Sequence, residues 1–165
     1  MVLEIIPVKI EEEIEPNTNI IDLVLKSTVI NDYDILIFSQ KIISKNEGRI
    51  VDLSSVNPSL LASGIASSYG KDPRLVELIL SESKRIVRMQ ESVIIVESNH
   101  GFVCANAGID ESNVRDGYVT MLPEDPDQSA DKLKKQILLF EDIKVGLVYG
   151  NYWFVNGIKN IRKVG

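Results

Sequence analysis

Gln40, Lys41 and Lys45, in the run Ser39-Gln-Lys-Ile-Ile-Ser-Lys-Asn-Glu-Gly-Arg49, give the chain its clearest set of donors for an anionic ligand. Ammonium groups act as point charges toward phosphate oxygens, and amide or hydroxyl groups beside them add direction. The alternative for Lys41, Lys45 and Arg49 is a solvated edge. A second stretch, His100-Gly-Phe-Val-Cys-Ala-Asn-Ala-Gly-Ile-Asp110-Glu-Ser-Asn113-Val, is a loop of small residues leading to a carboxylate. Small side chains let a backbone approach a ligand closely. A third, Leu122-Pro-Glu-Asp-Pro-Asp-Gln-Ser-Ala130, sets three acids among two prolines. Carboxylates suit magnesium or manganese, which keep waters for phosphates to replace. They also suit the positive end of a helix, and capping by Asp127 is the favoured reading of this stretch.

Other chemistries are excluded by what the chain lacks. One histidine, His100, and one cysteine, Cys104, leave no disulfide, no thiolate cage within the chain and little from which to build a nucleophile and its base. His100, Phe102 and Cys104 share one face of an alternating segment, where core packing accounts for them equally well. Gly64-Ile-Ala-Ser-Ser-Tyr-Gly70-Lys71-Asp72 comes near a Walker loop, but it puts Asp72 where a hydroxyl should bind magnesium. It reads as a helix end followed by a cap. The dinucleotide fingerprint of three close glycines is absent too, so a nucleotide site here is unconventional.

The elements that must position these stretches alternate as in a mixed α/β protein. Leu3 to Val8 and Asp34 to Ser39 read as strands, the latter buried, and Thr18 as the cap of a helix through Val24. Asn57-Pro58 and Asp72-Pro73 each announce a helix, the second carrying an apolar stripe from Leu75 through Ile86 and Val87. Val93 to Val96 and Phe102 to Ala105 read as strands around a turn. A helix capped by Asp127 buries Leu133, Ile137 and Leu138, and a last strand runs from Val145 to Tyr149. Residues 1–165 read as a single domain, with 44% hydrophobic and 25% charged residues. A net charge of -6 speaks against nucleic acid as a partner. No apolar run approaches a membrane span and the N-terminus lacks a secretion signal, so a cytoplasmic location with no membrane partner is expected.

The first three stretches, together with Lys71-Asp-Pro-Arg-Leu-Val-Glu77, occur in the same order in F420-0:γ-glutamyl ligases, and the chain resembles that family from its first strand to about Gly146. The resemblance implies an F420 ligase-like mixed sheet with flanking helices. It also implies an enzyme that uses GTP and Mg2+ or Mn2+ to attach L-glutamate to the carboxylate of coenzyme F420-0, through an acyl phosphate. Position by position it makes Asp110 a metal ligand and Asn113, Gln40, Lys41 and Lys45 nucleotide contacts. Glu11 to Ile14 matches a further nucleotide contact by position, although three adjacent acids repel a triphosphate.

The resemblance implies a C-terminally shortened member. Where the family continues with a Ser/Thr-Asp-Thr motif and Gly-Arg, this chain reads Val145-Gly-Leu-Val-Tyr-Gly-Asn151-Tyr-Trp-Phe-Val-Asn-Gly157. Counted from Val145 the family's metal-binding aspartate falls on Asn151, and counted back from Asn156-Gly157 it falls on Val148. Either way a carboxylate is missing. Two readings therefore stand: a ligase completed by a partner chain, or a non-catalytic nucleotide-binding or regulatory paralogue. Family members resemble homodimers, and Tyr149, Tyr152, Trp153 and Phe154 serve either an interface or the core.

Overall fold

The computed structural model describes the backbone of residues 4–32, 34–90, 93–141 and 146–150, and side chains through residue 138. The chain is a mixed α/β protein whose described backbone divides into two compact units. One comprises Met1–Gly48 and Asp125–Gly165, the other Arg49–Glu124. No helix among the described residues is long and apolar enough to cross a membrane.

The discontinuous unit holds α1 (Ile20–Ser27), β1 (Ile35–Ser39), α2 (Gln40–Asn46), α5 (Pro126–Glu141) and β7 (Gly146–Gly150). Its core is an apolar cluster that includes Ile20, Ile21 and Val24 from α1 with Phe38, Ile43, Leu133 and Ile137. Each such side chain contributes about 1.5–3 kcal/mol when fully removed from water. β1 and β7 pair in parallel, with Ile35 opposite Gly146 and Ser39 opposite Gly150.

Several local expectations change here. Asn19, not Thr18, caps α1, its Oδ1 accepting from the Asp22 N–H at 3.2 Å. Thr18 instead bonds Glu15. No strand forms at residues 4–10, and Ile5 and Ile6 are exposed. Pro7 has no N–H for a ladder, and the adjacent isoleucines break strict alternation. β1 is not buried either: Ile35 and Ile37 are largely exposed and Phe38 alone of its residues is buried. Asp125 rather than Asp127 holds the start of α5, accepting from the Gln128 N–H at 2.9 Å. The proline at 126 opens the helix, so the preceding residue is the one placed to cap it. Leu133 and Ile137 are buried as expected, while Leu138 is exposed.

The continuous unit holds β2 (Ile50–Asp52), α3 (Leu60–Tyr69), α4 (Pro73–Ser81), β3 (Ser83–Gln90), β4 (Val93–Ser98), β5 (Val103–Ala105) and β6 (Tyr118–Thr120). β3, β4 and β5 form an antiparallel sheet, and β2 pairs with β6. Val76, Ile79, Ile94, Val96 and Val119, all fully buried, anchor its core. α3 begins at Leu60 with Ser59 as its cap, two residues later than Asn57-Pro58 implies. Asp72-Pro73 does open α4, and Gly70 ends α3 in the left-handed conformation, so the Walker-like run is a helix end followed by a cap.

α4 stops at Ser81, and Ile86 and Val87 belong to β3. The register of β3 against β4 shifts between Ser83 and Arg85 and again between Ile86 and Arg88. Each irregularity inserts a residue, so Ser83, Ile86 and Met89 are the less exposed positions, three apart, and the strand shows an interval close to that of a helix.

Candidate functional site

The Asp110 loop is held by backbone geometry and close packing. β5 ends at Ala105, and the next three residues all take positive φ: Asn106 at 50°, Ala107 at 55° and Gly108 at 74°. The left-handed region costs a residue with a Cβ roughly 1–2 kcal/mol, least for asparagine. The surroundings offset this. The Asn106 Oδ1 accepts from the Ile94 N–H at 3.3 Å, and Ala107 is buried in the core. At Gly108 a Cβ would lie 2.7 Å from the Leu122 Cδ2, so glycine is needed for space as well as for φ.

Asp110 is then fixed by an isolated antiparallel bridge to Thr120, a residue of β6 that also pairs with Ile50 of β2. Its N–H donates to the Thr120 carbonyl at 3.0 Å, and its carbonyl accepts from the Thr120 N–H at 2.9 Å and Oγ1 at 3.2 Å. Thr120 is fully buried. The carboxylate Oδ1 accepts from the Ser112 N–H at 2.7 Å, turning the chain toward Asn113, an exposed residue with φ 55°.

Two main-chain clamps hold the neighbouring Leu122-Pro123-Glu124 segment. Arg49 donates from Nε to the Leu122 carbonyl at 2.9 Å and from Nη2 to Glu82 at 3.1 Å. His100 stands 2.9 Å from the Glu124 carbonyl through Nε2. A carbonyl only accepts, so Nε2 carries the proton, and the buried Nδ1 has no partner among the described residues. The imidazole stacks on Phe102 with ring centroids 5.9 Å apart. Cys104 is half-buried, and desolvation pushes its thiol above the ordinary range, away from the thiolate a nucleophile requires.

The lysine-bearing stretch lies in the other unit and is helical. On α2, Lys41 and Lys45 are one turn apart on the same side, while Gln40 is buried and donates to the Ser44 Oγ at 2.5 Å. The Lys45 Nζ stands 3.6 Å from a Glu13 carboxylate oxygen, and the Lys45 side chain is only 16% exposed. Asn46 fastens the same region, donating to the Thr18 carbonyl at 2.6 Å and accepting from the Asn17 N–H at 2.8 Å. The fold thus gathers Gln40, Lys41, Lys45 and the 11–14 segment in one unit, and Asp110 with Asn113 in the other. Asn151, Val145, Tyr152, Trp153 and Phe154 lie outside the described residues, and Tyr149 and Val148 are described by backbone alone.

Sequence reading foresaw the Asp72-Pro73 helix start but not the pairing of Asp72 with Arg74. Asp72 caps α4 by accepting from the Arg74 N–H at 2.8 Å and pairs with the Arg74 guanidinium through both carboxylate oxygens. The Arg74 side chain holds the Asp72 carboxyl below the usual carboxylate range. Asp52 is likewise lowered, first by its bond from Ser54, with Tyr118 and Arg115 contributing. Arg115 lies 4.2 Å over the Tyr118 ring. The signal in the sequence was the Asp-Pro helix start with basic residues on either side.

The family described as F420-0:gamma-glutamyl ligase matches residues 8–149. The chain belongs to the F420-0:γ-glutamyl ligase family. It is 41% identical to the coenzyme F420:L-glutamate ligase of Methanopyrus kandleri over 146 residues, which are 88% of this chain and 58% of that protein. It is 53% identical to the corresponding ligase of Methanothermobacter thermautotrophicus over 64% of this chain and 42% of that one. For Methanocaldococcus jannaschii the figures are 44% identity, 72% and 47%. The chain therefore spans about half the length of the curated ligases it matches. All four stretches set out above fall within the region that the F420-0:γ-glutamyl ligase family matches.

Among the described residues no group of three His, Cys, Asp or Glu side chains converges as a metal cage. Asp110 offers one carboxylate. Magnesium-type ions are commonly bound through one or two carboxylates, with water and substrate phosphates completing the shell. The donor set of the described residues fits one such position and not an all-protein site.

Proposed function

We propose that this chain carries the nucleotide- and metal-handling part of a GTP-dependent ligase that attaches L-glutamate to the carboxylate of F420-0. Membership of the F420-0:γ-glutamyl ligase family over residues 8–149 carries this reading. In it, Lys41 and Lys45 compensate the charge of the nucleotide phosphates, with Gln40 and Asn113 supplying neutral hydrogen-bonding groups. Asp110 takes one position on a magnesium or manganese ion, which when bound neutralises charge on the phosphoryl group in transit. The acceptor carboxylate takes the γ-phosphoryl group of GTP, releasing GDP and forming an acyl phosphate; the glutamate amine then attacks its carbonyl carbon, and phosphate leaves. The amine must arrive unprotonated, so a proton is lost before or during attack.

Two features support the assignment of Asp110. Its main chain is locked to buried Thr120, and its carboxylate is oriented by the Ser112 N–H. A ligand held this way loses little freedom on binding. The test is incubation of the chain with F420-0, GTP, glutamate and manganese, with mass detection of an added glutamyl unit, beside calorimetry of manganese and GTP. Asp110→Asn is expected to abolish metal-dependent nucleotide binding. Unchanged affinity in that variant sinks the role of Asp110.

The missing carboxylate around Asn151 favours a second reading: catalysis needs a partner chain, or a second copy, that supplies a further ligand, or the chain binds nucleotide without turnover. Glutamyl addition by this chain alone rejects the second reading. Nucleotide binding without addition, restored by a chain bearing the rest of the family's length, supports the partner.

A further inference from the structure

β1 has two unlike faces. Leu36 and Phe38 pack into the core of the discontinuous unit. Ile35 and Ile37 alternate with them and are 60% and 73% exposed. The parallel register with β7 sets Gly146, Val148 and Gly150 opposite Ile35, Ile37 and Ser39. Two of those three β7 residues have no side chain, and none of the six carries a charge. The result is a bare, uncharged apolar face in a chain of which 25% is charged.

Such a face conflicts with the architecture it belongs to. Parallel strands occur almost only where both faces of the sheet are covered, whereas antiparallel sheets commonly leave one face to water. Strands that stay exposed usually carry a lysine, a proline or a bulge that discourages association, and Ile35–Ser39 has none of these. Among the described strands β1 pairs with β7 alone. The lengths of the relatives point to the cover. The family match ends at residue 149, inside β7, and the chain spans about half the length of the curated ligases it matches. Whatever follows the matched region in those proteins departs from the strand beside β1, at the border of the bare face.

We propose that the face of β1 bearing Ile35 and Ile37 is a docking surface for a chain that carries the remaining length of the ligase family. The inference rests on the partner-chain reading and adds the surface to it, and it is independent of the roles given to Asp110 and the lysines.

The probe is the portion of the Methanopyrus kandleri ligase outside the matched 58%, coexpressed with the chain. Wild type, the Ile35→Lys/Ile37→Lys double variant and Leu60→Lys are compared; Leu60 is 93% exposed but belongs to the continuous unit. Copurification and sedimentation velocity should give a one-to-one complex with wild type and with Leu60→Lys, and the double variant should weaken it by about 100-fold or more. For the chain alone, all three forms should sediment alike and unfold at nearly the same urea midpoint, because lysines on an uncovered face displace nothing. With the probe joined to the chain in one polypeptide, the double variant should lower that midpoint, a comparison that holds even where the separate probe is insoluble.

A complex that tolerates both lysines overturns the inference and leaves a partner bound elsewhere. A wild-type dimer that the lysines break assigns the face to a second copy, and a lower midpoint for the double variant in a monomer assigns it to the chain itself; either result overturns the proposal. Absence of a complex together with an unchanged midpoint in the joined polypeptide also overturns it. The ligase reading is judged separately, by glutamyl addition and nucleotide binding.

Discussion

Gly108→Ala tests whether the Asp110 loop is as tightly built as its geometry implies. The substitution introduces two costs. An alanine at φ 74° carries about 1–2 kcal/mol of backbone strain. The new methyl carbon would also lie 2.7 Å, 2.8 Å and 3.0 Å from three carbons of the Leu122 side chain. Leu122 has little room to retreat, since it is 4% exposed and its carbonyl is held by Arg49 at 2.9 Å. Overpacking of this kind adds about 1–3 kcal/mol. The sum is a loss of about 2–5 kcal/mol.

Gly101→Ala is the matched control. Its φ of 84° imposes the same class of strain, but nothing lies within 4 Å of the added carbon. Urea unfolding followed by circular dichroism should therefore rank Gly108→Ala below Gly101→Ala by about 1–3 kcal/mol, the packing share alone. A cycle with Leu122→Ala sharpens the comparison. The double variant should lose less than the sum of the singles, because shortening Leu122 removes the atoms that collide. Equal stability of the two glycine variants, or strict additivity in the cycle, would refute the claim that Leu122 packs immovably over this glycine.

Two further outcomes follow from the same region. Asp72→Ala removes a helix cap and the partner of Arg74 and should cost about 1–2 kcal/mol at neutral pH, read by urea unfolding. Because the folded carboxyl titrates below its ordinary range, its contribution is present at neutral pH and is lost as pH falls through the folded value; Asp72→Asn should flatten the acid limb of the stability profile, and an unchanged limb would count against the Arg74 pairing. Asn113→Gly should keep or slightly raise stability, since glycine adopts φ 55° more readily, while weakening manganese-dependent GTP binding if the side-chain amide is a nucleotide contact. Full affinity in that variant would remove the amide from the site.

What the sequence made legible was what local chemistry decides. Asp72-Pro73 starts a helix because cap and proline act within one turn, and the structure agrees. The Gly70 helix end is of the same kind. The failures lie where long-range pairing decides. Ile86 and Met89 fall three apart because β3 is irregular against β4, so an edge of a sheet was read as a continuing helix. Ile5 and Ile6 are apolar, yet no ladder forms there among the described residues. The candidate site divides in the same way. Asp110 and Asn113 were visible as a loop of small residues ending in a carboxylate. The bridge from Asp110 to Thr120 was hidden because it depends on long-range pairing with β6.

The left-handed residues around Asp110 show which part of the loop packing explains. Asn106 and Ala107 each carry a conformational cost, and each has a compensating interaction: a bond from the Ile94 N–H for one, burial in the core for the other. Gly108 is required by Leu122. These three would be selected in a protein with no ligand at all, because they carry the chain from β5 to the Thr120 rung. Asn113 is different. It is exposed, its φ is 55°, and its side chain makes no hydrogen bond to any described residue. Packing accounts for the loop as far as Asp110 and stops there. An asparagine adopts that conformation in an exposed turn at small cost, so the turn itself accounts for its φ, and only the Asn113→Gly comparison tests whether its amide does more.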